Sequence, residues 1–182
     1  KVPVEIIYYD DKSDSGTCVK LVEKLILDDK VDLLLPPWST AFHFAIAPIV
    51  TKYKYPVVGP TVDSMKLREI AHRIPYMFVI LNQPPEKAIA LVELCKELGV
   101  KTAAIVHHTD LHGIEFAGYV APYLSTNGID VAMYKSYPMG AKDLSPLLKK
   151  VQAENVDAML AFSYPPGTML LTKQAKAIGF NP

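Results

Sequence analysis

The sequence has 182 residues, with 19 basic and 19 acidic side chains and a hydrophobic content of 50%. That length suits one large domain or two small ones, and a half-apolar chain with 21% charged residues is not a mostly disordered one. Zero formal net charge removes the basic footprint that nucleic-acid binding needs. The longest apolar stretch, Val31–Val50, is broken by Asp32, His43 and three prolines, so no segment reads as a membrane span.

Val4–Asp10 is rich in branched and aromatic residues and is expected to form a strand. No signal-peptide pattern precedes it, which assigns no compartment. Asp14 or Ser15 then caps a helix to about Asp28. Val31–Leu35 has the short apolar run of a buried parallel strand, ended by Pro36 and Pro37. Ser39 or Thr40 caps a helix through about Lys52, and Pro56–Gly59 is a further short strand. This β-α-β-α-β order predicts a parallel sheet with helices on its faces.

Residues 60–75 interrupt the rhythm with a polar connection, and Tyr76–Leu81 is expected to be extended. Pro84 and Pro85 suit the first turn of a helix that Gly99 stops. The alternation then resumes. Strands are expected at Thr102–His107, Val131–Tyr137 and Ala158–Phe162. Helices are expected at Gly113–Asn127, at Ser145–Asn155 with Ser145 as cap, and at Thr168–Ile178. The restart places a boundary near residues 76–84, giving a first lobe over 1–81 and a second over 82–182. Val31–Leu35 and Val156–Leu160 form a weak internal repeat. In that register Ser39 and Tyr164 correspond. Each lies just past the carboxyl end of a parallel strand, where open α/β sheets bind ligands.

Several chemistries lack their motifs. There is no Walker loop, no Gly-x-Gly-x-x-Gly fingerprint and no Gly-x-Ser-x-Gly elbow. Cys18 and Cys95 lie on apolar helical stripes and read as small buried hydrophobes, not as metal ligands or a disulfide. The run His107-His108-Thr109-Asp110-Leu111-His112 raises the possibility of zinc, but its spacing fits no common zinc-hydrolase pattern. His107 is expected to finish a strand inside its lobe, with His108 and Asp110 opening a polar loop. His112, before Gly113 at a helix start, has a ring that can face a ligand. His43 and His72 read as a helix-surface or packing residue and as part of the polar connection. Trp38 follows two prolines at a strand end, where an aromatic wall for a ligand is a fair reading.

The ordered series of segments resembles the type I periplasmic binding proteins of the branched-chain amino-acid group, the solute receptors of ABC importers. The residues that carry the likeness are Val4–Asp11, Asp29–Asp32, Trp38-Ser39-Thr40, Ala47–Val50 and Tyr55–Thr61 in the first half. In the second they are Ile105–His107, His112-Gly113, Phe116–Gly118, the stretch Tyr137–Leu148, and Gln174-Ala175 with Gly179. The resemblance implies two Rossmann-like lobes with a ligand held between them, a periplasmic or extracellular location, a membrane permease as partner, and neither cofactor nor catalysis. Family members begin with an additional strand and helix and extend past residue 182. The chain therefore reads as a fragment without the central strand of its first lobe. Carried over position by position, the resemblance gives Ser39 and Thr40 as the helix start that receives a ligand carboxylate. Thr61, Val62 and Asp63 become a loop at the ligand's polar head, and His112 and Tyr164 the contacts from the second lobe. Trp38, His112 and Tyr164 favour a flat or bulky apolar tail, so the expected ligand is an amino acid or an aromatic acid. The alternatives are a sensory domain of the same fold and, less in keeping with the residues, a metal-dependent enzyme built on His107–His112.

Overall fold

In a computed structural model of the chain, which describes residues 3–182, the polypeptide divides into two compact units, Lys1–Asn82 and Gln83–Pro182. The first is built on two long helices, α1 (Ser15–Leu27) and α2 (Thr40–Lys52), and two short strands, β1 (Val57–Gly59) and β2 (Met77–Val79). Asp14 starts α1 by accepting a hydrogen bond from the Thr17 amide at 2.7 Å, which satisfies one of the donors a helix start leaves open. Apolar residues three and four apart then bury one face of each helix, Cys18 and Val22 from α1 and Ile46, Ala47 and Val50 from α2. They enclose a core completed by Val57, Val62 and Leu67. A short helix, α3 (Met65–Glu69), capped by Ser64, and one 3-10 turn fill the polar connection.

The sheet of this unit is smaller than the sequence pattern predicts. β1 and β2 pair in parallel, and Val31–Leu35 contributes only a parallel bridge from Leu34 to Val57. Val4–Asp10 is extended but joins no ladder, and Val4, Ile6 and Tyr8 are 81%, 74% and 85% exposed. Its composition favours a strand, yet a strand is a pairing, and among the described residues no ladder includes it.

The second unit follows the expected alternation closely. Its elements are α4 (Pro84–Glu97), β3 (Thr102–His108), α5 (Leu111–Thr126), β4 (Asp130–Tyr137), α6 (Ser145–Ala153), β5 (Ala158–Phe162) and α7 (Pro165–Ala177). The three strands are parallel in the order β4-β3-β5. Strand alternation sorts β3 between two cores. Ala103 and Ile105 pack with Val92 of α4 and Val120 and Leu124 of α5, whereas Ala104 and Val106 pack with Leu148 and Val151 of α6 and Leu171 of α7. The central strand is thus covered on both faces and apolar throughout, as a parallel strand must be.

Two helix starts differ from expectation. α7 begins at Pro165, not Thr168, because Pro165 and Pro166 occupy first-turn positions whose amides need no partner. At α6 the Ser145 side chain is not the cap. The Asp143 carboxylate accepts from the Ser145 amide at 2.9 Å and from Gln174 Nε2 at 3.0 Å, and Gln174 Oε1 accepts from the Leu144 amide at 2.7 Å. Gln174 of α7 thereby pins the turn ahead of α6. Among the described residues no helix is long and apolar enough to cross a membrane.

Candidate functional site

In the first unit, two loops leave the carboxyl ends of neighbouring strand segments and are tied side by side. Thr61 Oγ1 donates to the Pro37 carbonyl at 3.4 Å, and Thr40 Oγ1 donates to the Asp63 carbonyl at 3.3 Å, with Asp63 Oδ1 at 3.4 Å. These bonds gather Ser39, Thr40, Thr61, Val62 and Asp63 around the start of α2. Val62 and Asp63 are buried, as is Thr40. Val62 belongs to the core, and any contact it makes with a ligand is through its backbone. The Asp63 carboxylate is engaged within the unit. Trp38, 54% exposed, stands immediately before the helix.

Ser39 is the N-cap residue of α2 in an unusual way. Its backbone has φ 101° and ψ 151°, a region that only glycine enters freely and that costs a side-chain-bearing residue about 1–3 kcal/mol. Its hydroxyl makes no capping bond. Its carbonyl instead accepts the first helical bond, from the His43 amide at 3.3 Å, together with one from His43 Nδ1 at 2.7 Å. His43 is fully buried beneath this turn, a packing residue and not a surface one. Burial holds its pKa below the ordinary histidine value against the opposing pull of the Ser39 carbonyl. The helix start therefore offers first-turn amides that helix geometry leaves open, the positive end of the helix dipole and an uncommitted hydroxyl, a set of groups suited to an anion.

In the second unit the carboxyl ends of all three strands converge. His108 ends β3, Tyr137 ends β4, and Tyr164, two residues past β5, is the N-cap residue of α7. Ser39 and Tyr164 thus hold the same position relative to their helices, in keeping with the internal repeat. The rings stack in series. Tyr164 lies 4.5 Å from His108 at 26° between planes and 5.5 Å from His112 at 14°, and His112 lies 6.0 Å from Phe116. Asp110 caps α5 by accepting from the Gly113 amide at 2.9 Å, and the same oxygen lies 2.6 Å from His108 Nδ1. Burial works to raise the Asp110 pKa, but hydrogen bonds from His108, Gly113 and Tyr164 outweigh it and hold the carboxyl below its usual value. Gly113 makes the arrangement possible. A Cβ there would lie 2.4 Å from the His108 carbonyl oxygen and 3.0 Å from its Nδ1.

His108 is not a loop residue, as the sequence pattern suggests, but the buried last residue of β3. One more residue of strand places it on the α6/α7 side, while His107 faces the other way, edge-on to Tyr134 at 5.1 Å. The histidine run is therefore divided between the two faces of the sheet, and among the described residues no group of three or more His, Cys, Asp or Glu side chains is placed to hold a metal ion. Beside His108 and Tyr164 lies a cavity of about 230 Å³ that Tyr137 and the turn Met139–Lys142 also line. The sequence offers His108 only as part of the histidine run and Tyr137 not at all as a site residue; what joins them is that both end strands of one parallel sheet. Cys18 and Cys95 are buried and unpaired, and burial together with Asp11 raises the Cys18 thiol to about 11.

The family model described as "Periplasmic binding protein" matches residues 1–182. The Leu/Ile/Val-binding protein of Citrobacter freundii is 24% identical over 178 residues, which is 97% of this chain and 47% of the relative. A solute binding protein of an ABC transporter from R. palustris, solved in complex with 4-hydroxybenzoate, superposes with a TM-score of 0.86 at 20% identity, covering 95% of this chain and 47% of that one. A leucine binding protein from Thermotoga maritima does so at 0.83 and 21% identity, covering 94% and 49%. The chain spans about half the length of the curated relatives it matches.

Proposed function

The chain belongs to the periplasmic binding protein family, and from that premise we propose that it is part of a solute receptor of an ABC importer that binds a small carboxylate, an amino acid or an aromatic acid. The observation that carries this reading is the start of α2. Ser39 is held in a glycine-like conformation and its hydroxyl is left out of the cap. Backbone strain at a helix start with open amides is characteristic of a ligand clamp. Thr40, Thr61 and the backbone of Val62 and Asp63 frame the anion's surroundings, and Trp38 supplies an aromatic wall. From the second unit, His112 and Tyr164 offer stacked ring faces to the ligand's apolar tail. The relatives' names and the R. palustris complex support both ligand kinds, since those proteins are described with leucine, isoleucine and valine and with 4-hydroxybenzoate. Such a receptor works outside the cytoplasmic membrane and delivers its ligand to a membrane permease.

Calorimetry on the full-length protein tests the proposal. Leucine and benzoate are to be compared with leucinamide and benzamide, which keep the tail and lose the anion. The acids are expected to bind and the amides to fail. Ser39→Ala should weaken the binding acid by about tenfold to a hundredfold through loss of a charge-assisted hydrogen bond. Amides that bind as well as acids would remove the anion site, and an unchanged affinity in Ser39→Ala would leave the helix amides alone to hold the carboxylate.

A further inference from the structure

The formal neutrality of the chain hides an uneven distribution of charge in the second unit. α6 and α7 cover one face of its sheet, with Leu148 and Val151 of α6 and Leu171 and Ala175 of α7 turned into a common core. Gln174 of α7 ties the two together at the turn ahead of α6. Their charged residues are Lys149, Lys150, Lys173 and Lys176, and neither helix contains an acid. All four lysines are exposed. Lys173 and Lys176 are three apart on α7 and share a side of it. Lys142, also exposed, adds a fifth charge in the turn before α6. Two acids flank α6. The Asp143 carboxylate is engaged by the Ser145 amide and by Gln174, and Glu154 follows the last turn. Among the described residues none of the four helix lysines forms a salt bridge. The layer on the other face of the sheet differs in sign. α4 carries Glu86, Glu93 and Glu97 against Lys87 and Lys96, and the one carboxylate of α5, Glu115, is buried.

Like charges gathered on one layer repel each other and add nothing to the fold, so their use lies outside it, with a partner of opposite sign. The residue types separate two kinds of partner. An acidic protein segment is gripped by arginine forks and aromatic anchors. The exposed positions of α6 and α7 include no arginine and no aromatic side chain. Lysine is a hydrated point charge on a flexible stem, which suits a diffuse negative field and not one fixed carboxylate. We infer that the α6/α7 layer is an interaction surface for an anionic lipid bilayer, on which the second unit settles with these lysines toward the headgroups. Each lysine within a Debye length of such a surface is drawn to it, and the same field turns the glutamates of α4 away. The inference rests on the receptor reading, which sets the molecule beside a membrane, but it requires no bound solute.

Co-sedimentation of the full-length protein with vesicles, in the absence of solute, tests this. Vesicles of phosphatidylglycerol and phosphatidylcholine in equal parts should bind it at least about tenfold more tightly than phosphatidylcholine alone at ~20 mM salt, and most of the difference should vanish at ~150 mM. Lys149→Gln, Lys150→Gln, Lys173→Gln and Lys176→Gln should each weaken that binding by about threefold to fivefold. Lys96→Gln on α4 should change nothing. Glutamine is a good helix former at an exposed position, and circular dichroism checks that the helices persist in each variant. Equal binding to anionic and neutral vesicles overturns the inference, as does a preference that Lys96→Gln reduces as much as Lys173→Gln does. Polyglutamate offers the same charge without a lipid surface. If it binds more tightly than the anionic vesicles at equal charge concentration, the partner is an acidic protein and the bilayer assignment falls. None of these outcomes depends on whether acids bind at Ser39, which calorimetry reads separately.

Discussion

Ser39 and His43 form one device at the residue scale. A serine in glycine's region of backbone space is held there because its carbonyl is gripped twice, by the amide and by the imidazole of the same residue. The grip uses Nδ1–H, and burial of Nε2, which has no partner, is what disfavours the charged ring. Burial keeps the folded pKa below the ordinary value, whereas the unfolded chain titrates near ~6.5. Between those two values the unfolded state binds more protons, so the contribution to stability is fully present above about pH 6.5 and is lost as the pH falls through the folded value. We expect urea unfolding to show that the ring's contribution to stability declines as the pH is lowered from about 7. His43→Gln, which keeps a donor for the Ser39 carbonyl, should flatten that part of the profile. A variant with the wild-type slope would show that the imidazole binds protons equally in the folded and unfolded states.

At the scale of elements, Gly113 and Gly118 are five residues apart on α5 and predict opposite outcomes. An alanine Cβ at 113 meets the His108 carbonyl at 2.4 Å, whereas at 118 nothing lies within 4 Å. Gly113→Ala must push α5 off the end of β3 and should cost about 1–3 kcal/mol, with the stacking of His108, Tyr164 and His112 disturbed. Gly118→Ala should stabilise by about 0.5–1 kcal/mol, since it only restricts the unfolded chain. Differential scanning calorimetry of the two variants reads this directly, and a tolerated Gly113→Ala would mean that α5 is not seated on β3 as described. The same elements show what a sequence reveals. Helices announce themselves locally, through Asp14, Ser64, the Pro84-Pro85 and Pro165-Pro166 starts and the apolar stripes, so most of them are legible. Strands are legible only where neighbours exist to pair with them: Thr102–His108 fits its pattern, while Val4–Asp10 fits a pattern and makes no pair. The site was half legible for a related reason. Ser39, Thr40 and Tyr164 follow from their place after strands, but the faces of His107 and His108 turn on a single residue of strand length. Tyr137 lies beside Gly167 of α7, which is about thirty residues further along the chain.

For the molecule as a whole, the two units differ in how completely their backbone is used. The second unit pairs its central strand on both sides and covers both faces. The first leaves Val4–Asp10 without a ladder and reduces Val31–Leu35 to one bridge, with Leu33 and Leu35 each 87% exposed alongside Val4, Ile6 and Tyr8. Open backbone with branched and aromatic side chains is a template for pairing with another copy, and the usual safeguards of proline, lysine or a covering helix are missing from Glu5–Tyr9. The 182-residue chain produced alone is therefore expected to self-associate at about 10–100 μM, and to do so through the first unit. Sedimentation velocity should show species larger than a monomer. Ile6→Lys combined with Leu33→Lys should return most of the material to the monomer, because a charge on an open strand opposes edge-to-edge pairing. Hydrogen exchange should meanwhile protect β3, β4 and β5 far more than residues 4–10 and 31–35. A monodisperse monomer of the unaltered chain with slow exchange at residues 4–10 would show that this segment is paired within its own unit, and the open edge on which the expectation rests would not exist.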